Sequence, residues 1–186
     1  MEKLESRTTK ESIASQLRTL IFSGELEDGE EITQNEVAES LELSRMPVRE
    51  AFLLLTEEGL LTRLPNRHIA VNGMTFPRAA AYFKQLIASD CIAIDYMKSF
   101  ENISDEILWH RNLLSASSDA LISSICTAAL RGYTEYFFSK EHDEKRLSIL
   151  TGIGESLISG DMEGAKKSLK GEYLDMIISQ LEVEFA

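Results

Sequence analysis

Residues 44–51 place a helix cap, a proline and two arginines at the start of an amphipathic helix. Ser44 can accept a hydrogen bond from a free backbone N–H of the first turn, and Pro47 falls where its missing N–H is not needed. Apolar side chains then recur at helical spacing and predict a buried face: Val48, Phe52 and Leu55. The run therefore predicts a capped helix that packs along one side.

The two arginines of this run are four residues apart, so Arg45 and Arg49 project from the same side of the helix near its N-terminal end. A guanidinium is permanently charged and presents a rigid fork that suits guanine edges and phosphates in a major groove. A capped helix with two outward arginines also occurs in many proteins that do not bind DNA. The surrounding sequence has to decide between these interpretations.

The patterns on either side of the helix have the order of a winged helix-turn-helix. An upstream apolar stripe predicts a first helix that ends at Gly24, and Thr33 with Glu36 has the spacing of a capping box that opens a second one. After Gly59, residues 60–64 and 68–71 predict two short strands around a turn at Pro65. Three helices followed by a β-hairpin wing are therefore predicted.

This part of the chain resembles the DNA-binding domain of GntR-family transcription regulators from about residue 9 to residue 73. The resemblance is carried by residues 21–26, 28–29, 36–41, 44–51 and 55–60, above all by the serine-arginine-x-proline-valine-arginine-glutamate-alanine run. It implies that DNA is contacted by the start of the third helix and by the wing. The implied contact residues are Ser44, Arg45, Met46, Arg49, Asn66, Arg67 and His68.

The resemblance also implies different roles within this set. Arg45 and Arg49 are expected to read bases or clamp phosphates, whereas Ser44 would contact a phosphate and Met46 would make an apolar contact with a base. The wing would meet the adjacent backbone or minor groove. His68 stands where the family usually has a glycine, which lets the backbone approach closely, so the wing contact would depend more on its neighbours.

The charge balance opposes general affinity for nucleic acid. Residues 1–73 carry 8 lysines and arginines against 14 aspartates and glutamates, a net charge of −6. The basic residues nevertheless include Arg63 and Arg67, which belong to the wing. We therefore expect modest affinity from one copy, strong salt dependence, and a homodimer that engages two half-sites of a palindromic operator.

Residues 74–186 are predicted to form an all-α bundle, with helices at 79–97, 104–115, 118–139, 141–158 and 161–183. Residues 106–114, and Gly160 with Asp161, resemble the helical effector-binding and dimerisation (FCD-type) domain of the FadR-like subfamily, here shortened by one helix. Cys91 and Cys126 are predicted to be buried and reduced. Arg131 and Arg146 are predicted to be solvated, with inward salt bridges or an anionic effector as the alternative.

Many members of this subfamily hold a divalent metal with one carboxylate and three histidines. By resemblance, Glu106 takes the carboxylate position and His110 the first histidine position, but Leu150 and Glu172 occupy the other two. We therefore predict no cofactor and no metal, and place a small-molecule effector site at Glu106, His110 and Glu172. For Glu106 and His110 the favoured interpretation is nevertheless a simple pair four residues apart on one helix, with participation in a ligand or metal site as the alternative.

The sequence thus predicts a mostly α protein with a winged helix-turn-helix domain at 1–73 and a helical domain at 74–186. It has no apolar run of the ~20 residues that span a membrane and no signal-peptide core, so we expect a cytoplasmic location. The sequence predicts a non-enzymatic transcriptional regulator under effector control. Repression is the commoner outcome in the family that it resembles, so a repressor is expected. Two alternatives are a winged-helix protein-interaction module that has lost effector or DNA binding and, less well supported, a metal-dependent hydrolase around Glu106, His110 and Glu172.

Overall fold

The computed structural model describes residues 2–65, 68–140 and 143–186, and the side chains from Thr9 onward. The chain divides into two compact units, Met1–Thr75 and Phe76–Ala186. The predicted fold class is confirmed, because a small winged helix precedes a helical bundle. None of the described helices combines the length and the apolar character that a membrane span requires.

The N-terminal unit contains three helices and a three-stranded sheet. The helices are α1 (Glu2–Ser23), α2 (Gln34–Ser40) and α3 (Arg45–Glu57), and the strands are β1 (Glu31–Ile32), β2 (Leu61–Arg63) and β3 (Ile69–Val71). The sheet is antiparallel in the order β1-β3-β2, with Glu31 opposite Ala70 and Leu61 opposite Val71. Strand β1 was not predicted, because two residues carry no periodicity and pair only once β3 lies beside them.

The two predicted helix caps of this unit have different outcomes. The capping box of α2 is confirmed: the Thr33 hydroxyl accepts a hydrogen bond from the Glu36 N–H at 3.2 Å, and the Glu36 carboxylate accepts one from the Thr33 N–H at 2.9 Å. Hydrogen bonds from the Thr33 hydroxyl and N–H lower the pKa of Glu36. At α3, Ser44 occupies the N-cap position, but its side chain makes no capping hydrogen bond, so that expectation was wrong.

The C-terminal unit contains helices joined by loops, and no strand is formed by its described residues apart from one isolated bridge between Met97 and Ser117. Its helices are α4 (Phe76–Tyr96), α5 (Glu106–Ser115), α6 (Ala120–Thr127), α7 (Tyr133–Lys140), α8 (Glu144–Ser159), α9 (Met162–Ser168) and α10 (Leu174–Glu184). A π-helical turn, Leu169–Tyr173, joins α9 to α10. Aromatic side chains dominate the core, with Phe83, Trp109, Tyr133, Phe138 and Tyr173 all buried.

Three predicted helices differ from the observed ones. The predicted helix at 161–183 is interrupted by the π-helical turn between α9 and α10. The predicted helix at 118–139 is split into α6, a 3-10 turn at Ala128–Leu130 and α7. The chain turns at Gly132, whose φ of 71° is in the left-handed region that favours glycine. Residues 141–142 of the predicted helix at 141–158 lie outside the described residues, and α8 begins at Glu144, where the Asp143 carboxylate accepts hydrogen bonds from the Lys145 and Arg146 N–H groups.

Candidate nucleic-acid interface

The start of α3 separates a packed side from an exposed side. Val48, Ala51 and Phe52 are buried against the unit, whereas Arg45 and Arg49 are exposed. Met46 is 61% exposed, so a large apolar side chain stands in solvent beside the arginines. Ser44 is exposed as well, and its hydroxyl is not used as a helix cap. The four predicted residues of this segment therefore lie together at one helix end.

Three arginines of this surface, Arg45, Arg49 and Arg63, have no acidic partner among the described residues. Arg18, on α1, forms a two-point hydrogen-bonded pair with the Glu58 carboxylate at 2.8 and 2.9 Å. By contrast, no acidic side chain among the described residues forms an ion pair with Arg45, Arg49 or Arg63. Their charge is available to an anion from outside, although the unit as a whole is acidic.

A groove of about 740 Å³ is lined by two of these arginines, Arg49 and Arg63. Arg49 of α3 and Arg63 of β2 line it together with Thr33, Gln34 and Asn35 at the start of α2. Sequence reasoning missed Gln34, which contributes a donor and an acceptor only because α2 and α3 converge on this groove.

The predicted wing residues are only partly described. His68 lines the groove, is exposed, and its Nδ1 lies 2.6 Å from a carboxylate oxygen of Glu31 on β1. Asn66 and Arg67 lie outside the described residues. The contact with Glu31 holds the His68 ring against the sheet, so this ring is already engaged within the unit.

In the C-terminal unit, two of the three predicted effector residues come together. Glu106 and His110 are buried, whereas Glu172 is exposed and does not join them. The next residue, Tyr173, takes that place, because the π-helical turn at Leu169–Tyr173 adds a residue per turn and shifts which side chain faces the bundle. The Tyr173 hydroxyl lies 2.6 Å from Glu106 Oε1 and 2.8 Å from His110 Nε2.

The hydrogen bonds continue to both sides of Tyr173. Beyond His110, the Nδ1 atom lies 2.9 Å from Asp90 Oδ2. Beyond Glu106, the carboxylate accepts bonds from Arg146 Nε at 2.9 Å and Nη2 at 3.0 Å. Arg146 is only 2% exposed, so the expectation of a solvated arginine was wrong and the alternative of an inward salt bridge is the one observed.

The positions of the protons in this row of hydrogen bonds follow from which groups can only accept and which can donate. The Glu106 carboxylate pairs with Arg146 and only accepts, so the single Tyr173 proton is donated to Glu106, and Tyr173 accepts from His110 Nε2–H. The other ring nitrogen, His110 Nδ1, then shares a proton with Asp90 Oδ2. Burial raises the pKa of Asp90, although His110 opposes the shift. Asp90 Oδ1 has no hydrogen-bond partner among the described residues.

The residues at this centre do not fit a divalent metal. Leu150, at the position of the second family histidine, is buried and apolar. No group of three His, Cys, Asp or Glu side chains converges within the part of the chain that the structure describes. The positive charge that faces Glu106 belongs to Arg146. The thiols of Cys91 and Cys126 are buried, and burial raises the pKa of both.

Comparison with known proteins assigns the first unit. Residues 9–71 match the family model described as bacterial regulatory proteins, gntR family. The N-terminal unit is a winged-helix domain of the GntR family. A transcriptional regulator from an unstable DNA locus of Streptomyces ambofaciens is 38% identical over 65 residues, which are 35% of this chain and 28% of the relative. The gluconate operon transcriptional repressor of Bacillus subtilis is 26% identical over 148 residues, 66% of this chain and 60% of that protein.

Solved structures resemble the whole chain in fold. A GntR transcriptional regulator from Rhodococcus sp. RHA1 has a TM-score of 0.62 at 19% identity, covering 96% of this chain and 100% of the other. McbR/YncC of E. coli has a TM-score of 0.60 at 15% identity, covering 96% and 99%. The aligned segments span less than two thirds of the curated relatives above. The FadR-like assignment of the helical unit stays a prediction.

Proposed function

We propose that this protein is a transcriptional regulator that binds a palindromic DNA operator as a homodimer. In this proposal it acts as a repressor rather than an activator, and it responds to a small-molecule effector through its helical unit. The observation that carries the proposal is the exposed end of α3, where Arg45 and Arg49 have no acidic partner among the residues that the structure describes, within a GntR-family domain. Its action is binding rather than catalysis.

In this proposal the N-terminal end of α3 enters the major groove. Arg45 and Arg49 contact guanine edges or phosphates, Ser44 contacts a phosphate, and Met46 packs against a base. The wing residues Asn66, Arg67 and His68 meet the adjacent backbone or minor groove. The groove lined by Arg49 and Arg63 offers a further place for a phosphate.

The proposed homodimer has a suitable surface on the helical unit. Ser118 N–H donates to the Tyr96 carbonyl at 2.7 Å, so the end of α4 adjoins the start of α6. Exposed apolar side chains lie on these two helices: Ile92, Tyr96, Leu121 and Ile125, between 44% and 69% exposed. Helix α6 carries no charged residue. Because each chain has a net charge of −12, a second copy is repelled least at an uncharged apolar face.

The dimer is tested by light scattering after size exclusion. We expect a dimer for the wild type and a monomer for the Leu121→Glu, Ile125→Glu variant, since each buried glutamate would lose its hydration without a partner. Ile158→Glu is the matched control, because Ile158 is also exposed, at 62%, but lies on α8. A monomeric wild type, or loss of the dimer in the control instead, contradicts this surface.

DNA binding is tested by selecting bound sequences from random duplexes. We expect the intact protein to enrich a palindromic site and the Arg45→Ala, Arg49→Ala variant to lose it. The control, Arg111→Ala with Arg131→Ala, removes the same charge from exposed positions of the helical unit and should keep the site. Equal enrichment by both variants would contradict the proposed roles of Arg45 and Arg49.

The acidic character of the N-terminal unit favours one other function, a winged-helix module that binds protein. Salt separates the two: phosphate contacts predict that affinity falls steeply as salt is added, whereas a protein partner predicts a shallow slope. If the intact protein enriches no sequence even at low salt, the protein-binding function is supported instead.

A further inference from the structure

We infer that the effector site is a pocket between α7, α8 and α10, and that it binds a small organic anion with an apolar body. We call it the α8–α10 pocket; it is open to solvent and has a volume of about 590 Å³, within the range of small-molecule sites. Its regulatory meaning rests on the proposed function, but ligand binding there can be measured independently. The pocket differs from the sequence-predicted effector set, of which Glu106 and His110 are sealed in the core.

The lining of the α8–α10 pocket suits an amphipathic molecule. Phe137 of α7, with Met176 and Val183 of α10, forms an apolar wall, and Val183 is 80% exposed. Helix α8 contributes Lys145 and Arg146, whose guanidinium lies over the Phe137 ring, 5.0 Å from its centroid. An apolar body would gain by covering the wall, while a charged end group would face the cations.

Among the described residues, the charges around the pocket leave one cation, Lys145, without an acidic partner, because Arg146 faces Glu106 and lies 3.8 Å from Asp143. Lys140 pairs with Glu184 at 2.8 Å, and this hydrogen bond raises the pKa of the Lys140 ammonium, so the two charges cancel. Asp143 caps α8. Burial would raise its pKa, but hydrogen bonds, first from the Arg146 N–H, lower it overall, so it is charged. Lys145 is exposed and forms no ion pair with any described acidic residue. An anion therefore has a cation available at the rim.

The neutral side chain of Gln180 lines the pocket together with Arg146 and is hydrogen-bonded to it. The Gln180 side-chain carbonyl accepts a hydrogen bond from Arg146 Nη1 at 2.5 Å, and its amide donates to the Asp143 carboxylate. A carboxylate from the ligand can replace the Gln180 oxygen on Nη1, because charged acceptors bind a guanidinium more strongly than amides do. Arg146 also donates to Glu106, so such an exchange acts on the hydrogen bonds that lead through Tyr173 to His110.

The protein carries its own reporter for this linkage. Trp109 is the single tryptophan of the chain and is fully buried. Its ring contacts His110 edge to face, with the ring centroids 5.2 Å apart. Occupancy of the pocket is therefore expected to change the fluorescence of Trp109, although no ligand atom would touch the indole.

The test uses phenylpropionate as the probe, with phenylpropanol as its neutral counterpart, on the full chain. We expect phenylpropionate to bind saturably by calorimetry with a parallel change in Trp109 fluorescence, and phenylpropanol to bind about tenfold more weakly or not at all. Lys145→Glu should weaken phenylpropionate binding by about tenfold, because an attraction at the rim becomes a repulsion. Lys167→Glu makes the same exchange on an exposed residue of α9 and should have no effect.

Three results would overturn the inference: no saturable binding of phenylpropionate, equal loss in Lys145→Glu and Lys167→Glu, or equal affinity for the neutral probe. Binding that leaves Trp109 fluorescence unchanged would overturn the link to the core. Selection of DNA sites is measured on the same preparation, so a failed pocket with intact DNA selection leaves the proposed function standing. A working pocket without DNA selection refutes only the proposed function.

Discussion

Arginine has opposite roles in the two units. At the start of α3, Arg45 and Arg49 are exposed and have no described acidic partner, whereas Arg146 in the helical bundle is buried and donates to Glu106 and Gln180. A guanidinium whose hydrogen bonds and charge pairs are all made within its own unit stabilises that unit. One that the fold leaves unsatisfied is available to a phosphate or a base. The contrast predicts that substitution of Arg146 lowers the stability of the fold, whereas substitution of Arg45 and Arg49 lowers the affinity for DNA.

The largest expected effect is on the stability of the helical unit. Arg146→Ala leaves the Glu106 charge buried without its partner and should lower the free energy of unfolding by about 3–5 kcal/mol. Arg45→Ala with Arg49→Ala should change it by no more than about 0.5 kcal/mol. Urea unfolding followed by Trp109 fluorescence measures the first, and far-UV circular dichroism the second.

A double variant sharpens this first prediction. Arg146→Met combined with Glu106→Leu removes both charges and should recover much of the stability that Arg146→Ala loses. If the double variant is as unstable as the single one, packing of the guanidinium on Phe137, 5.0 Å from the ring centroid, matters more than the charge pair.

The next largest effect concerns the Tyr173 hydroxyl, which lies between His110 and Glu106 in the buried hydrogen bonds. Tyr173→Phe keeps the ring but leaves His110 Nε2 and one Glu106 oxygen without this partner, so it should cost about 1–3 kcal/mol. Unfolding followed by Trp109 fluorescence is again the measurement. Tyr136→Phe is the matched control at a tyrosine that is not buried, and it should cost less. Equal losses would mean that the hydrogen bonds of Tyr173 add little.

The pH dependence of stability tests the buried Asp90. Its pKa is raised in the folded state by burial, so above the unfolded pKa the folded protein holds a proton that the unfolded chain has released. The contribution of Asp90 to stability therefore falls as the pH rises through the folded pKa. Asp90→Asn should become progressively more stable relative to wild type over this range, by at most about 1.4 kcal/mol per pH unit. A difference that does not vary with pH contradicts the shift.

The smallest effect compares the two helix starts of the N-terminal unit. Thr33→Ala removes the hydroxyl part of the α2 capping box but keeps the backbone N–H that donates to Glu36, and it should cost about 1 kcal/mol. Ser44→Ala should cost only a few tenths of a kcal/mol, because Ser44 makes no capping hydrogen bond, yet it should weaken DNA binding if its hydroxyl contacts a phosphate. Thermal unfolding by circular dichroism and DNA titration measure these two effects.

The N-terminal unit was largely predictable because its signals are local. The capping box at Thr33, the buried face of α3 and the exposed arginines each follow from spacing within one or two helical turns. The helical unit was less predictable, because its decisive contacts join residues far apart in the sequence. No sequence pattern marks the π-helical turn that turns Tyr173 inward in place of Glu172, and Arg146 resembles any solvated arginine until α5 lies beside α8.

The sequence by itself therefore determined which helices form at the start of the chain and which of their faces are polar. It also determined that a run typical of the GntR family opens α3. Only the tertiary structure decided that Arg146 is structural, that Tyr173 joins Glu106 to His110, and that the α8–α10 pocket opens beside Gln180. Helical periodicity depends on neighbours three and four residues apart, whereas Arg146 and Tyr173 find partners 40 and 67 residues away, which only folding brings within hydrogen-bond distance.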